Sequence, residues 1–185
     1  MLISQLSDED NITPEITRGD TTLILASMYW DTQKPIEKDL TKFDKILKHG
    51  IGEGVIIAMD SNAWSTTWHD TTTNNRGKQL EEYIISKQLH IMKEPSTKTT
   101  FENRIGKSNV DLTLATSNVL RRIADWSISD EESNSDQRIM SYVIKTSNNH
   151  ENNTNTEEGI FRVNSVNTEK YKENIHRKVE NIIWE

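Results

Sequence analysis

The chain has 185 residues, 33% of them hydrophobic, no cysteine and a formal net charge of −7. Without cysteine it holds neither a disulfide scaffold nor a thiolate metal site, and no apolar run approaches the roughly 18 residues a membrane span needs. The acidic balance also argues against a protein that clamps nucleic acid through a uniformly basic surface, though a local patch is compatible with it.

In chain order, residues 21–29 (TTLILASMY) form a short apolar run and predict a buried strand. Pro35 opens a helical pattern, with Leu40, Phe43, Ile46 and Leu47 at spacings of three and four; His49 and Gly50 close it. Residues 55–59 (VIIAM) have the continuous hydrophobicity of a strand covered on both faces, and the run stops at Asp60. A polar loop over 60–75 carries Trp64 and Trp68, and a helix is expected over 77–88 with Leu80 and Ile84 on one face. Further strands are expected around 99–101, 110–115, 125–128 and 139–144. Strands and helices alternate irregularly, which favours a layered α/β domain over a doubly wound one. The domain is expected over 1–144, followed by an Asn/Thr/Glu-rich linker at 145–159 and a helical segment at 160–185. Thr168 would cap that segment, with Tyr171, Ile175, Val179 and Ile182 on one face. The expected location is intracellular, nucleus or cytoplasm; the N-x-T sequons at Asn11 and Asn152 read as chance occurrences.

Three polar features interrupt the apolar pattern. Asp60-Ser61-Asn62 ends a hydrophobic strand, which either delivers a carboxylate and an amide into a site or makes an ordinary Asp-x-Asn turn. Asp111 sits inside the apolar run Val110–Leu114, where an ionised carboxylate is costly unless paired or turned to solvent. Ser135-Asp136-Gln137-Arg138 leads into the last strand and alone is a charged loop.

Taken together, these features resemble the endonuclease/exonuclease/phosphatase superfamily, and within it the endonuclease branch of non-LTR retrotransposons. The family's G-D-x-N-A resembles Met59-Asp60-Ser61-Asn62-Ala63, and its S-x-x-W-x-S is similar to Ser65-Thr66-Thr67-Trp68-His69-Asp70. Its N-x-R-G-x-x-L is similar to the stretch Asn74 to Leu80, its T-F to Thr100-Phe101, and its S-x-I-D-L-T-L to the stretch Ser108 to Leu114. Its W-x-V and S-D-H-R resemble Trp126-Ser127-Ile128 and Ser135-Asp136-Gln137-Arg138, and its S-x-Y strand end resembles Ser27-Met28-Tyr29. The matches are collinear over roughly 20–144, and Asn167–Tyr171 is similar to the segment that leads such proteins towards a reverse transcriptase.

The resemblance implies a four-layer α/β sandwich, here partial, with the first strands missing. It also implies Mg²⁺- (or Mn²⁺-) dependent hydrolysis of a phosphodiester, nicking target duplex DNA. Asp60 would position or deprotonate the attacking water, and Asn62 would hold that water or the phosphate. Tyr29 would donate to a phosphoryl oxygen, Asp136 with Asp60 would lie at the metal, and Asp111 would orient the residue at 137. Trp64, Trp68, Arg76 and Thr100 would lie along the DNA. Two departures bear on activity. Gln137 stands where the family has histidine, and an amide does not exchange a proton near neutral pH. The family's leading segment, with an early asparagine and a metal-anchoring glutamate, has no match; Glu9 and Glu15 lie too close to the Tyr29 strand. The expectation is a family endonuclease whose present copy is weak or inactive, with an exposed sheet edge where strands are missing. The alternative is a catalytically inactive remnant that binds DNA or protein.

Overall fold

The computed structural model describes residues 1–19, 21–93 and 98–145. The strands are β1 (Asn11–Ile12), β2 (Glu15–Arg18), β3 (Thr21–Tyr29), β4 (Gly54–Asp60), β5 (His90–Ile91), β6 (Phe101–Glu102), β7 (Lys107–Ser108), β8 (Asp111–Ala115), β9 (Ile123–Ile128) and β10 (Met140–Ile144). The helices are α1 (Ile36–His49), α2 (Asn75–Ser86) and the single turn α3 (Ser117–Leu120). The linker from 146 onward and the helix expected from Thr168 lie outside the described residues.

The six-stranded sheet runs β1-β3-β4-β8-β5, with β2 also on β3. β3 and β4 are parallel, so their connection must cross over, and α1 makes that crossover. β8 joins β4 antiparallel, and β5 joins β8 antiparallel. β9 and β10 form a separate antiparallel pair.

Two hydrophobic clusters show how the layers stack. Ile24, Ala26 and Met28 of β3 pack with Val55, Ile57 and Met59 of β4 against Phe43 and Ile46 of α1 and Leu80 and Ile84 of α2. The alternate residues, Leu23 of β3 and Ile56 of β4, pack with Ala115, Val119, Trp126, Tyr142 and Ile144. This period-two division puts helices on one face of the sheet and the β9–β10 pair on the other. It also explains why the central strands read as unbroken apolar runs: both of their faces are covered.

α1 begins after Pro35 (φ −60°) and ends at Gly50, whose N–H donates to Ile46 O at 3.0 Å. Glu37 and Asp39 lie in its first turn and Lys48 and His49 in its last, complementing the helix dipole. α2 starts two residues earlier than its periodicity indicated, because the Asn74 carboxamide caps it by accepting from Gly77 N at 2.7 Å. Gly77 is required for packing as well: a Cβ there would drive into the Trp64 carbonyl.

The sheet edge on this side falls on the short strands β1 and β2, not on β3. β1 and β2 pair antiparallel with β3, from Asn11↔Met28 to Arg18↔Thr21, and Ile3 is buried in the helix-side core. These strands, like β5, β7 and α3, escaped the sequence reading because segments of two to four residues are too short to carry a measurable period. Among the described residues no helix is long and apolar enough to cross a membrane.

Candidate functional site

Register alone builds the centre of the site. Tyr29 pairs with Asp60 across the parallel β3–β4 ladder, and Asp60 pairs with Asp111 across the antiparallel β4–β8 ladder. Three adjacent strands therefore carry Tyr29, Asp60 and Asp111 in one row at one end of the sheet. Side chains alternate, so Tyr29 shares a face with Leu23, Asp60 with Ile56 and Asp111 with Ala115. That is the face turned towards β9 and β10. Tyr29 is half exposed, Asp60 partly buried and Asp111 buried.

The Asp60 carboxylate is held at both oxygens. Oδ1 accepts from Asn62 N at 3.1 Å, an Asx turn, and Oδ2 accepts from Gln137 Nε2 at 2.7 Å. Burial pushes the Asp60 carboxyl above its ordinary value, while these two donors and the charge of Arg76 pull it back. Asn62 takes up left-handed backbone (φ 46°), and its Nδ2 donates to Trp30 O at 2.9 Å. One amide hydrogen is thus committed to the fold, and the side chain is fixed beside Asp60.

Gln137 reaches Asp60 because β6 anchors its loop. Glu102 N donates to Asp136 O at 2.9 Å, Arg138 N donates to Thr100 O at 2.7 Å, and Arg138 Nη2 pairs with Glu102 Oε2 at 2.8 Å. Asp136 is exposed, one residue from Gln137. Sequence reading missed Glu102 and Asn109. Asn109 is buried, donates to His69 O at 2.8 Å and to Asp70 Oδ2 at 3.0 Å, and so ties the tryptophan loop to β8. The only signal for either was proximity to a motif.

Four sequence expectations are corrected. Gln137 bonds to Asp60, and no bond joins it to Asp111: the loop lands over β4. Trp68 is fully buried and its Nε1 donates to Ala63 O at 3.1 Å, so its ring fills the helix-side core and offers no face to DNA. Thr100 is fully buried beneath the site, where its hydroxyl accepts from Asp111 N at 3.1 Å. Arg76 points inward: it donates to Ser61 O at 3.0 Å and Lys34 O at 3.1 Å, and pairs with buried Asp39 at 3.2 Å. Trp64, by contrast, is exposed next to the site loop.

Burial pushes Asp111 up to about 7, and the neighbouring charge of Asp60 adds to this; the Thr100 hydroxyl and the charge of Lys93 oppose it. Because the folded value exceeds the ordinary 3.8, the folded state binds this proton more tightly than the unfolded chain. The stability it contributes is complete below pH ~4 and is lost as pH rises through about 7. At about 1.4 kcal/mol per pKa unit, the loss is on the order of a few kcal/mol. Denaturant unfolding at about pH 4.5 and pH 8 is expected to show a smaller drop for Asp111→Asn than for the native chain. Equal drops would mean that Asp111 does not titrate in this range.

The sheet-centred α/β sandwich is the fold of the endonuclease/exonuclease/phosphatase superfamily, matching the solved TRAS1 endonuclease domain. The chain belongs to the endonuclease-reverse transcriptase family, whose model matches residues 23–141, and it is an endonuclease domain of the non-LTR retrotransposon type. The solved endonuclease domain of TRAS1, a telomere-specific non-LTR retrotransposon, superposes with a TM-score of 0.72 at 29% identity, covering 78% of this chain and 67% of that one. The retrovirus-related Pol polyprotein from type-1 retrotransposable element R1 of Bradysia coprophila is 25% identical over 148 residues, 76% of this chain. The putative 115 kDa protein in type-1 retrotransposable element R1DM of Drosophila melanogaster is 22% identical over 123 residues, 59% of this chain. The matches span 15% and 12% of those two proteins.

Proposed function

We propose that this chain is a metal-dependent DNA endonuclease domain that nicks duplex DNA for retrotransposition, and that its present form turns over weakly or not at all. The observation that carries the second half is the 2.7 Å bond from Gln137 Nε2 to Asp60 Oδ2. Asp60 is the carboxylate best placed to orient or deprotonate a water, since it ends β4 between Tyr29 and Asp111. Its outer oxygen is occupied by a neutral amide that neither carries charge nor exchanges a proton. Tyr29, half exposed in the same row, is available to donate its phenol hydrogen to a phosphoryl oxygen.

Mg²⁺ or Mn²⁺ is the cofactor this reading expects, with Asp60 and Asp136 as its protein contacts. The donor set fits poorly: both Asp60 oxygens already accept hydrogen bonds, and no group of three His, Cys, Asp or Glu side chains among the described residues could hold an ion. No step is therefore routed through the metal.

Nicking of supercoiled plasmid in magnesium tests the proposal. The expected result is trace nicking that chelator removes and that Asp60→Ala lacks. Strong Asp60-dependent nicking would overturn the claim of weakness. The same Gln137 bond favours a second reading, a remnant that binds without cutting; retained plasmid binding with no turnover in any folded variant would favour it.

A further inference from the structure

Tyr29 and Trp64 are the aromatic side chains left exposed among the described residues; the other described rings are buried or half-buried. Both belong to the strand ends that carry the carboxylate row. Tyr29 closes β3 opposite Asp60, and Trp64 follows Asp60 by four residues. Trp64 is 46% exposed although Ala63 and Ser65 on either side of it are fully buried. Leaving an indole in water forgoes the burial that places most tryptophans in cores, so the fold itself gains nothing from this ring.

The backbone that carries the ring is held firmly. Trp64 N donates to Asn74 Oδ1 at 3.3 Å and Trp64 O accepts from Asn74 N at 3.0 Å, so both main-chain groups are tied to the N-cap of α2. On the Asp60 side, Asn62 Nδ2 ties the loop to Trp30 O and Arg76 Nε donates to Ser61 O. The Trp64 indole takes part in no hydrogen bond or ring contact among the described residues. A pinned backbone with a free ring is a preformed flat face that loses little entropy on contact. The charges nearby offer a poorer grip. Arg76, Arg138 and Lys34 are each paired, with Asp39, Glu102 and Asp10, and the chain carries a net charge of −7. Clamping phosphates needs free cations, whereas stacking needs only the π-face that every base has.

We propose that Trp64 is a specificity-determining residue whose indole stacks on a nucleobase beside the carboxylate row, so that the site selects duplex DNA carrying an unpaired base. In a continuous duplex each base is already stacked on its neighbours, and freeing one of its faces is costly; an unpaired base has much less to lose. The choice of DNA as the ligand rests on the nuclease reading above. The pinned loop and its free indole do not.

The test measures binding by the full chain in chelator, so that no turnover is needed. The probes are fluorescein-labelled duplexes of one sequence, with and without a single unpaired base. The native chain is expected to bind the bulged duplex about 5–100-fold more tightly than the matched one, the worth of one stacked base. Trp64→Leu keeps an apolar side chain but removes the ring, and should abolish that preference; Trp64→Phe should retain most of it. Both variants should unfold near the native Tm, because the side chain they alter is exposed. The preference should survive a rise in salt from about 50 to about 200 mM, over which phosphate contacts weaken. A second signature reads the contact directly: the share of tryptophan emission that Trp64→Leu removes should be quenched when the bulged duplex binds. Equal affinity of the native chain for the two duplexes, or a Trp64→Leu chain that binds as the native one does, overturns the assignment. Binding to neither duplex overturns it as well and turns the exposed indole towards a protein partner. If the preference and its loss in Trp64→Leu both hold while no variant nicks DNA, the stacking stands and the nuclease reading is what fails. If nicking depends on Asp60 while Trp64→Leu binds and nicks as the native chain does, the nuclease reading stands and this assignment fails.

Discussion

Gln137→His is expected to raise magnesium-dependent plasmid nicking by about 10²–10⁴-fold, the usual contribution of a positioned acid–base group. The loop that carries position 137 is already delivered to the carboxylates: β6 holds its backbone at Asp136 and Arg138, and the Gln137 side chain ends 2.7 Å from Asp60. An imidazole on the same backbone has two carboxylates in reach of one row, Asp60 and the unpartnered oxygen of Asp111. Either would orient the ring and stabilise its charged form, moving its titration upward from about 6.5 into the neutral range. The gain should therefore appear as a rate that depends on pH near neutrality through the imidazole, beyond any dependence that Asp111 gives the native chain. The measurement is single-turnover nicking against pH, with Tm taken first to establish that the variant is folded. A folded Gln137→His with no gain would mean that the missing imidazole does not limit this chain, and the metal donor set would become the leading cause.

The largest stability effect is expected at Arg76. Its guanidinium closes the gap between α1, the loop after β4 and the start of α2, and it lies over the Trp30 ring with 5.7 Å to the centroid. Asp39 is 3% exposed, and burial pushes its carboxyl up even though Arg76 draws it down. Arg76→Ala strands that carboxylate and removes donors from two carbonyls, a loss of about 3–5 kcal/mol for a broken buried pair. For a chain of this size that corresponds to a fall in Tm of roughly 10 °C or more. Replacing both partners, Arg76→Met with Asp39→Leu, should recover much of the loss, because no charge is then left buried. Thermal unfolding of these two variants beside the native chain checks this. An arginine that instead gripped DNA would leave Tm near native on truncation and weaken plasmid binding, which is the outcome that would restore the DNA-contact reading.

Arg76, Trp68 and Thr100 show where motif reading goes astray. Each stands in a stretch that resembles the family, and motif membership by itself does not separate residues that touch the substrate from residues that hold the loops in place. Their burial does separate them: all three point inward and support the site from below. Trp64, four residues from Trp68, is left outside because its backbone, not its ring, meets Asn74 and Gly77. Nothing in the local sequence distinguishes the two tryptophans.

The sequence by itself determined the elements whose patterns are long and locally encoded. β3, α1, β4, α2 and β8 could be read from apolar runs and helical spacing, since those patterns record which faces will be covered. It also determined the chemistry of the strand ends, as a polar residue closing an apolar run is visible without coordinates. Tertiary structure alone decided which of those ends meet. The row Tyr29–Asp60–Asp111 depends on ladder register between strands separated by tens of residues, and register is a property of pairing that no single segment contains. The same holds for the β1 and β2 cover on β3, the approach of Gln137 to Asp60 and the burial of Lys93 beside β8. Each joins polar groups whose cost or benefit appears only when distant parts of the chain exclude water from between them.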